Sequence, residues 1–267
     1  MAIAGFSRKR LHAVACSGLL VLSCSAAAQS PPSDASHTIY LSATDWPPYA
    51  KAADGSGATE AVVRSAFAAV GYQVVTHYYP WMRAVALAQG GGTYVGYYPA
   101  YASSEREASC YLSALVGESP VGLVERRDRG LADKTLDELQ DIGIGVVAGY
   151  VNGVEFDRRV QAGKLRVEPA NDDLINLRKV YGGRIAAAVM DRNVMAYLLA
   201  VNTDQFPLSD QLIFANPGMS PLTLHVCFRR DGEGRKAMAL LNEGLSKIDV
   251  RAIATASLKA MGRGALQ

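Results

Sequence analysis

The chain has 267 residues, of which 49% are hydrophobic and 19% charged, with a formal net charge of +2. That length supports one large domain or two small ones with cores of their own, and the composition excludes an intrinsically disordered chain. The near-balanced charge gives no footing for a nucleic-acid or anionic-membrane surface.

Residues 1–28 read as a secretory leader. Arg8, Lys9 and Arg10 form a basic n-region, 11–22 an apolar run, and Ala26, Ala27 and Ala28 a small-residue cleavage site before Gln29. The run is short for a membrane span, so the mature protein is expected to be soluble and periplasmic. Val21-Leu22-Ser23-Cys24 also has the form of a lipobox, and lipid anchoring at Cys24 is the alternative.

Beyond the leader, 39–43 reads as a strand, and Asp45-Trp46-Pro47-Pro48-Tyr49 as a rigid loop that cannot be helical. Thr59 is placed as N-cap of a helix over 61–70, ended by Gly71. A strand over 72–78 is rich in β-branched and aromatic residues, and Pro80 opens the next helix. A strand over 94–98, a helical turn at 103–106 and a strand over 110–116 complete a first series. A second series begins near Val121. It comprises a short helix at 135–139, strands at 142–147, 166–168 and 185–190, and helices at 154–161, 172–181 and 193–201. A strand at 222–228 and helices at 233–248 and 251–261 finish the chain.

One pattern occurs twice: a helical segment runs into Gly-Gly, then a short apolar strand, then a polar residue. It spans Ala84 to Tyr97 and again Leu174 to Asp191. Glycine pairs there read as C-caps feeding strands, and strand-helix alternation predicts a mostly parallel sheet in each half. Ligands of open α/β sheets lie beyond the carboxyl ends of the strands, so two such halves facing each other make a cleft. The expected boundaries are 37–119 for the first lobe, 120–218 for the second, and 219–267 for a return to the first. The chain would cross near Ser119-Pro120 and 218–221.

Trp46, Tyr49, Trp81 and Tyr97 are expected at the mouth of the first lobe, where aromatic faces could sandwich an apolar or cationic group. Part of this set, Tyr97 first, could instead belong to the core. Asp45 and Arg83 share the zone, each either a ligand contact or half of an internal salt bridge. Gly149-Tyr150, after a buried strand, reads as an anion-binding helix N-terminus or a tight turn. His37, His77 and His225 are scattered and no Cys-x-x-Cys spacing occurs, so neither a metal nor a cofactor is expected.

Five segments carry a resemblance: Asp45-Trp46-Pro47-Pro48-Tyr49, Tyr79-Pro80-Trp81-Met82-Arg83-Ala84, Ser104-Glu105-Arg106, the run from Ile142 to Tyr150, and Val189-Met190-Asp191. In this order they resemble the extracellular solute-binding proteins of polar amino acid transporters, over about 37–262. The resemblance implies an α/β, two-lobed periplasmic-binding-protein-like type II fold with a two-stranded hinge. It implies that Arg106 binds a ligand carboxylate and Asp191 an α-amino group, and that the 148–150 loop offers N–H groups to the carboxylate. Two departures are visible: Ala148-Gly149-Tyr150 lacks the usual hydroxyl, and the segment before Glu105 is long. Read from residues alone, Arg106 could pair with Glu105 or Glu107, and Asp191 could cap the following helix.

After processing, Cys110 and Cys227 remain, in a compartment that permits a bridge. If the crossings pair near Ser119 and Gly218, a constant antiparallel register sets the two cysteines opposite one another; two buried free thiols are the alternative. The leading functional expectation is a monomeric binding protein. It would capture a small carboxylate-bearing solute, an amino acid or close analogue, for an inner-membrane ABC transporter permease, with no catalytic residue. The rivals are a dehydratase-like enzyme with Glu118 as first candidate acid, and a ligand sensor.

Overall fold

The computed structural model describes residues 37–264; the leader at 1–28, with Cys24, lies outside the described residues. The glycine pairs shape both halves in the same way. Helices α2 (Trp81–Gln89) and α5 (Asp173–Tyr181) end as the amides of Gly90 and Gly182 bond back to Ala86 and Arg178, both at 3.0 Å. Gly91 and Gly183 then take φ of 76° and 68°, a left-handed turn that side chains resist. The chain so released enters β3 (Gly96–Tyr101) and β9 (Ala187–Asp191), each buried along its whole length.

Around β3 lies the first sheet. It contains β1 (Thr38–Ala43), β2 (Gln73–Tyr78), β4 (Tyr111–Leu112), β5 (Gly117–Ser119) and β11 (Leu222–Phe228), in the order β2-β1-β3-β11-β4, with β5 also on β11. The second sheet has the order β10-β6-β9-β7-β8, with β6 Val121–Arg126, β7 Gly143–Val147, β8 Arg166–Ala170 and β10 Leu212–Ala215. Strands joined through helices run parallel: β2, β1 and β3 in one sheet, β8, β7 and β9 in the other. The strands that carry the chain out and back, β6 and β11, run antiparallel to their neighbours. Both sheets are therefore mixed.

The chain leaves the first sheet through Ser119-Pro120-Val121 and returns between β10 and β11. The crossing pairs Ser119 with Leu222 rather than with Gly218, and the register is not constant. Residues 113–116, expected inside one strand, bulge: the amides of Ser113 and Val116 still bond to the Val226 and Leu224 carbonyls at 2.9 Å, but regular pairing is interrupted between them. There the Ser113 hydroxyl accepts from the Val226 amide at 3.0 Å, and by β4 the pairing has slipped so that Cys227 faces Leu112. Cys110 and Cys227 are disulfide-bonded, their Cα atoms 5.6 Å apart. The bridge packs under Trp81 and Tyr97 in a small apolar cluster with Ala88 and Ala100.

Helix α1 (Ala58–Ala68) starts one residue before the expected cap: Gly57 holds the N-cap position and Thr59 is buried in the first turn. The remaining helices are α3 (Ser104–Ser109), α4 (Val154–Gln161), α6 (Arg192–Val201), α7 (Gly232–Leu245) and α8 (Val250–Gly264). Helix α7, capped by the Asp231 carboxylate on the Gly234 amide at 2.7 Å, returns to pack on α1. The contact is so close that a Cβ on Gly244 would stand 1.9 Å from the Ala66 carbonyl oxygen. Gly244→Ala is therefore expected to cost about 1–3 kcal/mol by overpacking, read from urea unfolding midpoints. Gly232→Ala, which opens into free space, is the control and should stay within about 0.5 kcal/mol.

Candidate ligand-binding cleft

The carboxyl ends of β1, β3, β7 and β9 face one region. After β1, the amide of Trp46 bonds to Ala50 at 2.7 Å and that of Tyr49 to Trp46 at 2.9 Å, so the proline loop folds back on itself. This stacks the Trp46 and Tyr49 rings 4.7 Å apart. Tyr101 ends β3 and meets Trp46 edge-on at 5.9 Å. From the second half, Tyr150 follows β7 and stands edge-on to both Trp46 and Trp81, at 6.3 and 5.8 Å. The rings of Trp46, Tyr101 and Tyr150 together divide the cleft. On one side a cavity of about 10 Å³ is lined by Trp81 and Arg106, and on the other a second of about 10 Å³ by Asp173 and Asp191; Trp46, Tyr101 and Tyr150 line both. Each has room for about one water.

Arg106 is 9% exposed. One Nη donates to the Tyr101 carbonyl at 2.7 Å and the other to the Gly149 carbonyl at 3.4 Å, and the guanidinium lies 5.2 Å from the centre of the Trp81 ring system. Among the described residues no carboxylate pairs with it. Glu105 and Glu107 are exposed and form no ion pair with it.

Asp191 is 3% exposed and carries four hydrogen bonds. Its Oδ1 accepts from the amides of Asn193 and Val194 at 2.6 and 2.9 Å, which makes it the N-cap of α6. Its Oδ2 accepts from the Tyr49 hydroxyl at 2.8 Å and the Ser119 hydroxyl at 2.6 Å. Burial pushes its pKa up, and these donors pull it back down. Asp173, in the first turn of α5, is 7% exposed and accepts from the Trp46 indole at 2.9 Å. Burial is the main cause that lifts its pKa to about 7; the Trp46 bond opposes the rise, and the Asp191 and Asp172 charges add to it.

That shift has a sign. Between about pH 4, where an unfolded aspartate titrates, and about pH 7, the native protein holds a proton that the unfolded chain has lost. Stability from this group is present at low pH, falls as pH rises through that window and is flat above it. Asp173→Asn should flatten the slope, narrowing the difference between pH 4.5 and pH 8 by roughly 2–4 kcal/mol in urea titrations of the unliganded protein. An unchanged slope would contradict the burial of this carboxyl.

No family model and no curated protein matches this chain. Solved structures do match in shape. An amino acid ABC transporter substrate-binding protein from Streptococcus pneumoniae, bound to L-arginine, superposes with a TM-score of 0.70 at 11% identity, covering 87% of this chain and 97% of its own. An ancestral arginine-binding protein bound to arginine gives 0.68 at 15% identity, over 84% and 97%. An ancestral amino acid-binding protein, described as a precursor of cyclohexadienyl dehydratase, gives 0.65 at 14%, over 84% and 95%. The chain has the two-lobed type II periplasmic-binding fold.

In that fold the described structure is closed, with Trp46, Tyr49, Trp81 and Arg106 of the first lobe against Gly149, Tyr150, Asp173 and Asp191 of the second. Five expected residues line neither cavity: Tyr49 and Gly149 still bond across the lobes, and the other three do not. Asp45 is exposed and accepts the Ala52 amide at 2.8 Å, closing its own loop. Arg83 is exposed over the Tyr79 ring at 5.3 Å. Tyr97 is buried edge-on to Trp81 at 5.5 Å, as its bed rather than as a wall.

Gly149 presents its carbonyl, to the Trp81 indole at 3.1 Å and to Arg106, rather than an N–H. The amides on either side are used within the lobe, Ala148 on Ala170 and Tyr150 on Val147, and α4 begins only after Gly153. The segment is a turn. Sequence reasoning missed Tyr101, Ser119 and Asp173. In the Asp172-Asp173 doublet, Asp172 caps α5 by accepting the Ile175 amide at 2.7 Å, which leaves its neighbour for other work.

Proposed function

We propose that this protein is a periplasmic solute-binding protein that captures a small molecule bearing a carboxylate and an amino group, an amino acid or close analogue, and delivers it to an inner-membrane ABC transporter. One observation carries the reading: Arg106 is buried where the lobes meet, its guanidinium donates to two backbone carbonyls, and among the described residues no carboxylate pairs with it. A guanidinium held out of water without an anion is costly. A ligand carboxylate fits its planar fork and supplies the missing charge. At the other end of the same cleft lie two buried carboxyls with no basic partner among the described residues, so the site has the polarity of a zwitterion.

With cavities this small, binding requires the lobes to part and Tyr150 to move aside, a hinge motion about the paired β5 and β11 strands. The leader read at 1–28 supports export, and no helix among the described residues is long and apolar enough to cross a membrane. Glu118, the acid the enzyme reading relied on, is exposed on β5 and lines neither cavity.

A thermal-shift screen of the twenty common L-amino acids and small organic acids, with proton NMR of the hits after incubation, tests the proposal. At least one amino acid is expected to raise the melting temperature and to be recovered unchanged. No shift with any compound, or conversion of the hit, would count against it.

A further inference from the structure

Asp191 and Asp173 face the same cavity but differ in what they have left to offer. A carboxylate offers about four acceptor positions. Asp191 has filled its own with the amides of Asn193 and Val194 and the hydroxyls of Tyr49 and Ser119. To bond a ligand ammonium it would have to release a helix cap or a hinge contact. Asp173, only 7% exposed, takes a single side-chain bond, from Trp46 onto Oδ2. Its Oδ1 accepts none among the described residues, and the residue lines the cavity beside Trp46, Tyr101 and Tyr150.

From these contacts we infer that Asp173, not Asp191, is the direct partner of the ligand's amino group. The inference rests on the reading of the cleft as a site for a carboxylate-bearing amine. In it, the Trp46 indole holds one oxygen of Asp173 and so aims the other, and the aromatic walls supply ring faces to the cation. Asp191 is a positioning residue. It joins the α6 N-terminus, the hinge at Ser119 and the first-lobe Tyr49, and so sets lobe closure for every ligand alike. Burial disfavours the ionised form of Asp173, and a bound ammonium, as the missing opposite charge, would restore it.

Titration calorimetry separates the two acids. Each common L-amino acid that binds the wild-type protein is compared with its deaminated acid, on the wild type, Asp173→Asn and Asp191→Asn. Asp173→Asn is expected to weaken the amino acid by about 10- to 100-fold and the deaminated acid by less than about threefold. Asp191→Asn should weaken both by a similar factor. Loss of amine selectivity in Asp191→Asn but not in Asp173→Asn would overturn the assignment, and so would equal loss of both compounds in Asp173→Asn. If no amino acid binds the wild type, the reading of the cleft falls and this assignment with it. Should Asp173→Asn not fold, the carboxyl carbon-13 shifts of the wild type decide: the Asp173 signal should move on adding the amino acid more than on adding its deaminated acid. An amine-specific response at Asp191 alone would overturn it.

Discussion

Arg106→Ala is expected to abolish capture of carboxylate-bearing solutes while leaving the protein folded. The side chain has no acidic partner among the described residues, so its removal strands no buried carboxylate. What it leaves are the carbonyls of Tyr101 and Gly149 and a smaller contact on the Trp81 face. Losing a charge-assisted pair in a closed cleft costs about 2–5 kcal/mol, a rise in Kd of roughly 30- to several-thousand-fold. Arg106→Lys should fall between, because it keeps the charge and loses the planar fork. Calorimetry with the best amino acid from the screen, beside circular dichroism melts, reads both halves of the expectation. A variant that melts like the wild type and binds as tightly would refute the role.

Breaking the Cys110–Cys227 bridge should be the largest single loss of stability. The bridge spans 117 residues, and a loop of that length corresponds to about 4–5 kcal/mol in the chain-entropy account. For a domain of this size that is a fall in melting temperature of about 10–15 °C. The effect should also reach the site. The bridge, Tyr97, Ala88 and Ala100 form the bed of Trp81, and Trp81 supports the guanidinium of Arg106. Scanning calorimetry of the Cys110→Ala, Cys227→Ala double variant, or of the reduced protein, measures the loss. Mass spectrometry of protein alkylated without reductant checks the premise: two labelled cysteines would refute the bridge.

The scaffold was legible wherever one local rule controlled one element. Gly-Gly ended helices twice, and the span of β11 follows from its alternating apolar residues. The strands β6 and β10 were harder to read because they owe their place to partners more than thirty residues away: Val121 opposite Asp191, Ala215 opposite Leu123. The hinge register shows the same limit. A side-chain hydroxyl, Ser113, replaced a backbone acceptor, and no periodicity announces that substitution.

Within the cleft, the residues that sequence placed there and the structure brings together, Trp46, Tyr49, Trp81, Arg106, Tyr150 and Asp191, come from segments whose turn chemistry or position at a strand end was visible. Asp45 and Arg83 lie beside the same segments yet face outward, since a loop fixes which residues are near but not which way each side chain turns. Asp173 was hidden because a helix-opening Asp doublet looks alike whether one carboxylate caps or both do.

The central claim is that a ligand carboxylate meets Arg106 in the closed cleft, and a thermodynamic cycle tests it most directly. Calorimetry would compare an amino acid that binds with its carboxamide, on the wild type and on Arg106→Ala. On the wild type the carboxamide should bind at least about 30-fold more weakly, and on Arg106→Ala the two should bind alike, giving a coupling of about 2 kcal/mol or more. Equal affinity of the two compounds for the wild type, or the same preference retained in Arg106→Ala, would contradict the account.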